Sequence, residues 1–244
     1  MTMLHDHPVA SAAPRAGEVM AEAVAFRGSR GQLAGELAYG LSAPRAACLL
    51  LNPHPFMGGA IDNNVIRALA QGLAGHGCVT LRFDYSGCGG SDGTRANVAA
   101  AMLEFWQSGH APNDPQMVDD GRAALRFLAD STRLPVIVVG YSFGAFVASQ
   151  ALTTDVAGLV AISPTLRHHD FSSLGLWRKP RLIVYSDNDF ATPRDITESW
   201  IAGLSGDVDL MCVHGGEHFF RGAEPRILDA VHAFVNDLLA KEGA

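Results

Sequence analysis

The sequence predicts an α/β protein: a mostly parallel, twisted sheet with helices on both faces and an antiparallel edge at its N-terminal end. Three observations lead there. Strand-like apolar runs alternate with helix-periodic segments along the whole 244-residue chain. Several of those runs are continuously apolar, as in "AACLLL" (46–51) and "PVIVVG" (135–140), the pattern of strands buried on both faces. The first two runs, "EVMAEAVAFRG" and "GQLAGELAYG", meet at the turn Gly28-Ser29-Arg30-Gly31 and form the antiparallel edge.

Residues 1–17 are rich in Ala, Pro and His and lack a basic segment followed by an apolar one, so they read as a disordered leader and not as a signal peptide. The His5/His7 pair belongs to that solvated tail. Residues 18–244 read as a single domain. After the opening pair, "AACLLLNPHP" is a strand ended by prolines, and "NNVIRALAQGLAGHG" is a helix closed by glycines. "CVTLRFDYSG" is the next strand and "MVDDGRAALRFLADST" the next helix. "PVIVVG" leads into the helix "FGAFVASQAL", followed by the strands "AGLVAIS" and "RLIVYS". The helix "PRDITESWIAGLS", the strand "VDLMCVHG" and a last helix from about Glu224 complete the order. Residues 94–116, "TRANVAAAMLEFWQSGHAPNDPQ", break the alternation and read as a small insertion at the strand ends. Its short apolar helix is expected either to cap a pocket or to pack on the domain surface.

Composition narrows the function. A hydrophobic content of 48% over 244 residues supports a sizeable core. No apolar run approaches the ~20 residues that cross a bilayer, so membrane insertion is not expected. A net charge of −7 with no dense Lys/Arg cluster argues against a nucleic-acid partner. Cys48, Cys78, Cys88 and Cys212 are scattered and lack C-x-x-C spacing. They read as reduced thiols of a cytoplasmic protein, with no metal site.

The pattern G-x-S-x-G occurs twice, around Ser91 and around Ser142. Its chemical meaning depends on context: a strand, a sharp turn that strains the serine, then a helix, with glycines leaving room for close chain approach. Ser142 has Val136 to Val139 before it and Phe143 to Leu152 after it, with Ala145 and Ala148 allowing the helix to sit close to the sheet. Ser91 has neither strand nor helix beside it and reads as part of a glycine-rich turn, with Asp84 and Ser91 bonding local backbone.

A serine nucleophile needs a base, and the base needs an orienting group. Asp187 and Asp189 follow the strand "RLIVYS", and His214 and His218 follow "VDLMCVHG"; both pairs sit at strand carboxyl ends, where open α/β sheets bind ligands. Asp189 is favoured over Asp187, which reads as a turn or capping residue. His218 is favoured over His214, because Gly215 and Gly216 free the loop that carries it. Two N–H donors should face the developing oxyanion. Phe143, next to the serine, is one. The other comes from the loop Asn52-Pro53-His54-Pro55-Phe56-Met57-Gly58-Gly59, where the prolines have no N–H, and His54 is favoured ahead of Phe56.

These residues resemble the α/β-hydrolase superfamily, and more narrowly a group of small bacterial serine hydrolases with a minimal lid. The likeness runs from about Ala46 to the C-terminal helix through "NPHPFMGGAIDNN", "LRFDYSGCGGSDG", "GYSFGAFVA", "HDFSSL", "SDNDFATP" and "GGEHFFRG". It implies the α/β-hydrolase fold and Ser142, Asp189 and His218 as the triad. Asn52 stands where the family loop often begins with His, and Asn64 where a Lys often follows the Asp-Asn pair; both departures are expected at the site entrance.

The expected activity is cleavage of an ester, thioester or related acyl bond of a small molecule through an acyl-enzyme, without cofactor. Acyl transfer or lyase/cyclase chemistry with the same triad is the first alternative, and a non-catalytic binding protein on the same fold the second. Phe56, Met102, Phe105, Trp106, Phe171 and Trp177 are the candidate pocket residues.

Overall fold

The computed structural model describes residues 18–95, 97–108, 111 and 113–242, the side chains of Trp106 and Glu242 excepted. The expected leader, 1–17, lies outside them. Strands β1 (Val19–Arg27) and β2 (Gln32–Gly40) form a hairpin closed by a 2.8 Å bond from the Gly28 N–H to the Gly31 carbonyl. Next come β3 (Ala46–Leu51), α1 (Asn64–Gly75), β4 (Cys78–Phe83), α2 (Val98–Ser108), α3 (Asp114–Thr132) and β5 (Val136–Tyr141). The chain continues with α4 (Phe143–Ala151), β6 (Val156–Ile162), α5 (Ser173–Leu176), β7 (Arg181–Asn188), α6 (Arg194–Ala202), β8 (Val208–Glu217) and α7 (Glu224–Glu242).

Among the described residues the strands form one eight-stranded sheet in the order β1-β2-β4-β3-β5-β6-β7-β8. Strand β2 is antiparallel to both its neighbours, and every other adjacent pair is parallel. This is the α/β-hydrolase fold that the motifs imply. Every residue of β3, β4, β5 and β6 is buried, because helices cover both faces. The period-two alternation of β3 shows the two layers. Ala47, Leu49 and Leu51 share a core with residues of α3 and α4, such as Leu128 and Val147. Ala46, Cys48 and Leu50 share the other with residues of α1 and α7, such as Leu69 and Val231. Each such Leu buried in full contributes roughly 1.5–3 kcal/mol.

The chain leaves β3 for β4 on one side and returns to β5 on the other. The loops after β3 and β5 therefore diverge and open a crevice at the carboxyl ends of the strands. Several boundaries differ from the sequence reading, and β4 ends at Phe83, four residues before the expected Gly87. Helix α3 starts at Asp114, inside the expected insertion, with Pro115 suiting its first turn. Strands β7 and β8 each run two residues further than the apolar pattern suggests, to Asn188 and Glu217. The short α5, between β6 and β7, carries too few residues for a periodic signal.

Candidate active site

Ser142 occupies the turn between β5 and α4 with φ 56° and ψ −118°, a strained conformation for a residue with a Cβ. Its surroundings hold it there. The Ser142 N–H donates to the Ile162 carbonyl of β6 at 2.8 Å, and its carbonyl accepts from Ala145 at 3.0 Å. The flanking glycines are required by space. A Cβ on Gly140 would lie 2.2 Å from the Gly144 oxygen, and one on Gly144 would lie 2.1 Å from the Leu51 oxygen. The first turn of α4 thus presses against the end of β3. Ser91, by contrast, donates to the Asp84 carbonyl at 2.6 Å and accepts from the Ala34 N–H at 2.8 Å, while Asp84 accepts from Gly90. It ties a glycine-rich turn to β2.

The structure brings Ser142, His218 and Asp189 together. Ser142 Oγ is 3.1 Å from His218 Nε2, and His218 Nδ1 is 2.9 Å from both carboxylate oxygens of Asp189. A proton on Nδ1 facing the carboxylate leaves Nε2 bare to accept from the serine hydroxyl. Asp189 Oδ1 also accepts the Ala191 and Thr192 N–H groups, and Oδ2 accepts the Ser163 hydroxyl at 2.7 Å. Burial pushes the Asp189 carboxyl up, but the hydrogen bond and charge of His218, with the Ser163 and Thr192 bonds, hold it below the usual carboxylate value. The backbone of the histidine segment is fixed as well: Tyr141 donates to the His218 carbonyl at 2.7 Å, and the Asn64 amide to the Phe219 carbonyl at 3.1 Å.

Asp187 and His214 stand apart from this run. They face each other at 3.4 Å on the exposed side of the β7/β8 end, where Asp187 also accepts the Gly215 N–H. The glycines have a different role from the loop freedom read in the sequence. Gly215, at φ 73°, and Gly216 belong to β8, where they lie between the pairs Ser186–Val213 and Asn188–Glu217 at a shift of register. His218 therefore follows the strand directly.

The loop after β3 folds back as a 3₁₀ turn, Pro55–Met57, and a Cβ on Gly59 would lie 1.9 Å from the Pro53 oxygen. His54 and Phe143 both border the same cavity as Ser142. Phe143 opens α4, so its N–H has no acceptor within the helix. Asn52 does not reach the entrance: it is buried, with its amide donating to the Phe83 carbonyl of β4 and its own carbonyl accepting from Tyr85. Asn64 does line the cavity.

That cavity holds about 850 Å³, and its apolar lining comes from Met57, Met102, Phe105, Phe143, Phe190 and Phe219. The insertion helix α2 thus supplies part of the wall through Met102 and Phe105. Three of the candidate pocket residues lie elsewhere. Phe171 is buried between Phe146 and Trp200 and borders a separate depression, Trp177 packs against the core beside Arg181, and the Phe56 ring turns onto His54 at 4.8 Å. Burying the Phe171 ring against Phe146 and Trp200 removes more of its surface from water than an open cavity wall does. The Trp106 side chain lies outside the described residues. The sequence reading missed Phe190, 66% exposed, and Phe219, whose rings lie 5.0 and 5.7 Å from that of His218. Their signal was adjacency: each directly follows a candidate triad residue. Two further features concern the described residues. No helix is long and apolar enough to cross a membrane, and no group of three or more His, Cys, Asp or Glu is arranged to hold a metal ion.

A sequence profile for the family described as "Serine aminopeptidase, S33" matches residues 44–179, from the start of β3 past the Ser142 turn. The chain is 28% identical over 222 residues to an uncharacterised protein of Rickettsia prowazekii (strain Madrid E), covering 86% of this chain and 87% of the relative. It is similar to the structure of an alpha-beta serine hydrolase homologue from Coxiella burnetii, at 26% identity and a TM-score of 0.73 over 87% of this chain and 96% of that one. A Xanthomonas campestris structure described as an a/b serine hydrolase without lid shares the fold, at 21% identity and a TM-score of 0.74 over 89% and 94% of the two chains. The matched segment, the sheet order and the Ser142 turn agree, and this chain belongs to the serine aminopeptidase S33 family of α/β serine hydrolases.

Proposed function

We propose that this protein cleaves an ester, thioester or related acyl bond of a small molecule through an acyl-enzyme on Ser142. The observation that carries this reading is the hydrogen-bonded run from Ser142 through His218 to Asp189, with Ser142 strained at the border of an 850 Å³ cavity. Ser142 Oγ attacks the acyl carbon while His218 Nε2 takes its proton, and Asp189 stabilises the imidazolium. The Phe143 and His54 N–H groups receive the oxyanion. The imidazolium gives its proton to the leaving group. Water, deprotonated by His218, then attacks the acyl carbon, releases the acid and restores Ser142. The apolar wall of Met102, Phe105, Phe190 and Phe219 supports a substrate with an apolar acyl or aromatic part. A cytoplasmic site of action belongs to the same reading and is supported by four free cysteines, two of them buried.

The test is labelling with a fluorophosphonate and mapping of the adduct by mass spectrometry. The wild type is expected to carry the adduct on Ser142, and Ser142→Ala to stay blank. Labelling that survives Ser142→Ala sinks the assignment, and a folded wild type that never labels favours a binding protein.

A further inference from the structure

A second cluster of titratable groups borders the cavity and takes no part in the Ser142–His218–Asp189 run. His54 Nε2 lies 3.2 Å from Asp114 Oδ1, and His169 Nε2 lies 3.4 Å from Asp114 Oδ2. All three side chains are at least nine-tenths buried, or within a few per cent of it. Both contacts are at charge-contact distance without ideal hydrogen-bond angles. The three residues come from three segments around the mouth: His54 from the loop after β3, Asp114 from the start of α3 within the insertion, and His169 from the loop after β6. Their rings enclose the residue beside Ser142, with the His54 and His169 centroids 4.7 and 5.3 Å from that of Phe143.

The protonation pattern of His54 follows from its partners. The Phe56 N–H donates to His54 Nδ1 at 3.2 Å, so Nδ1 is bare and the proton sits on Nε2, facing Asp114. The imidazole thus links the backbone of its own loop to a carboxylate on α3. Asp114 is held in turn by the Ala111 N–H at 3.2 Å. Burial pushes the Asp114 carboxyl up, but the two imidazoles beside it outweigh burial and hold the group well below its ordinary value. The carboxylate is therefore charged throughout the neutral range. A negative charge near a developing oxyanion opposes it, so any benefit of Asp114 to the reaction has to be geometric.

We infer that Asp114 is a positioning residue: through His54 it sets the loop after β3 so that the His54 N–H meets the oxyanion, and His169 completes the clamp from the opposite side. This rests on the reading of Ser142 as nucleophile and of the His54 N–H as oxyanion donor. It also gives the insertion a role beyond covering the cavity, since Asp114, near its end, is the group that fixes this loop. His169 tolerates either proton arrangement, because its Nδ1 lies 2.9 Å from the Thr165 hydroxyl, which both donates and accepts. His54 has no such freedom, because its Nδ1 partner is an N–H that only donates.

The test compares a p-nitrophenyl ester with the matching thionoester, since sulfur accepts hydrogen bonds poorly and draws little from oxyanion donors. Asp114→Ala is expected to lower kcat on the oxygen ester about tenfold or more, a fraction of what losing a whole oxyanion donor costs. KM should stay within about twofold, and the oxygen-to-sulfur rate ratio should narrow by the same factor as kcat falls. Asp114→Asn, which keeps an oxygen facing His54 Nε2, is expected to recover most of that loss. His54→Phe, which keeps the ring and removes both nitrogens, is expected to match Asp114→Ala and carries the test if that variant does not fold. Folded variants that keep the wild-type oxygen-to-sulfur ratio overturn the proposal while leaving Ser142 chemistry intact. A folded wild type inert to both esters and to a fluorophosphonate overturns the underlying reading, and this one with it.

Discussion

Asn188 on β7 lies opposite Glu217 on β8, although two residues earlier on β7 Ser186 lies opposite Val213. Strand β8 advances four residues, 213 to 217, while β7 advances two, 186 to 188. The extra residues form a bulge containing Gly215 and Gly216, and the next residue on each strand is Asp189 or His218. The pairing thus sets the carboxylate and the imidazole side by side at 2.9 Å. A bulge re-aims side chains in this way at the ends of strands.

The bulge can be tested through Gly216, whose added Cβ would lie 2.8 Å from Val213 Cγ1 and 2.9 Å from the Val213 oxygen. Gly216→Ala is expected to cost about 1–3 kcal/mol of stability, as overpacking does. It should also shift His218 against Asp189 and lower kcat about tenfold or more, by analogy with small misplacements of catalytic groups. Chemical denaturation and ester kinetics measure the two effects. Unchanged kcat beside a full stability loss would show that the bulge serves the fold alone.

Asp189 gives a pH signature. Its folded pKa is lowered, so its stabilising contribution is complete above the unfolded value, about 4, and is lost as pH falls through the folded one. The difference in unfolding free energy between wild type and Asp189→Asn is expected to be present at about pH 5 and to shrink below about pH 4. Urea titrations at a series of pH values supply the curve. A difference that persists undiminished well below about pH 4 contradicts the hydrogen-bonded carboxylate described above.

The glycines separate into required and replaceable positions. Gly144→Ala is expected to cost more than about 3 kcal/mol or to prevent folding, because its Cβ would meet backbone at the end of β3. Gly175→Ala, with nothing within 4 Å of the new Cβ, is expected to lie within about 0.5 kcal/mol of wild type or slightly above it. Thermal unfolding distinguishes them. Equal effects would contradict the close approach of α4 to β3.

The two serines should divide activity from stability. Ser91→Ala leaves the part-buried Ala34 N–H without its hydroxyl acceptor and is expected to cost about 1–2 kcal/mol, with fluorophosphonate labelling retained. Ser142→Ala is expected to abolish labelling and to leave stability unchanged or raised, as relief of active-site strain often does. The reverse pairing of effects would exchange their roles.

Much of this was legible along the chain. Continuous apolar runs marked the buried strands because both faces of a covered parallel sheet must be apolar, and glycines at fixed offsets marked the Ser142 turn because a Cβ there meets backbone. The order of serine, acid and histidine narrowed the acid to Asp187 or Asp189 and the base to His214 or His218, and the local turn and loop context favoured Asp189 and His218. The bulge was less legible, since Gly215 and Gly216 look alike as loop freedom or as an extra pair of residues within a strand. The pocket was legible only in part: Met102 and Phe105 face the cavity, whereas Phe56, Phe171 and Trp177 pack outside it.

The sequence by itself determined the sheet, the elbow and the candidate triad, because these depend on local periodicity, on backbone space and on the ends of particular strands. Tertiary structure alone decided the partner of His54, the facing of Asp189 and His218 across a bulge, and which aromatic rings line the cavity. Those relations join residues far apart in the chain, and they follow from strand register and from competition for buried surface, which no single segment encodes.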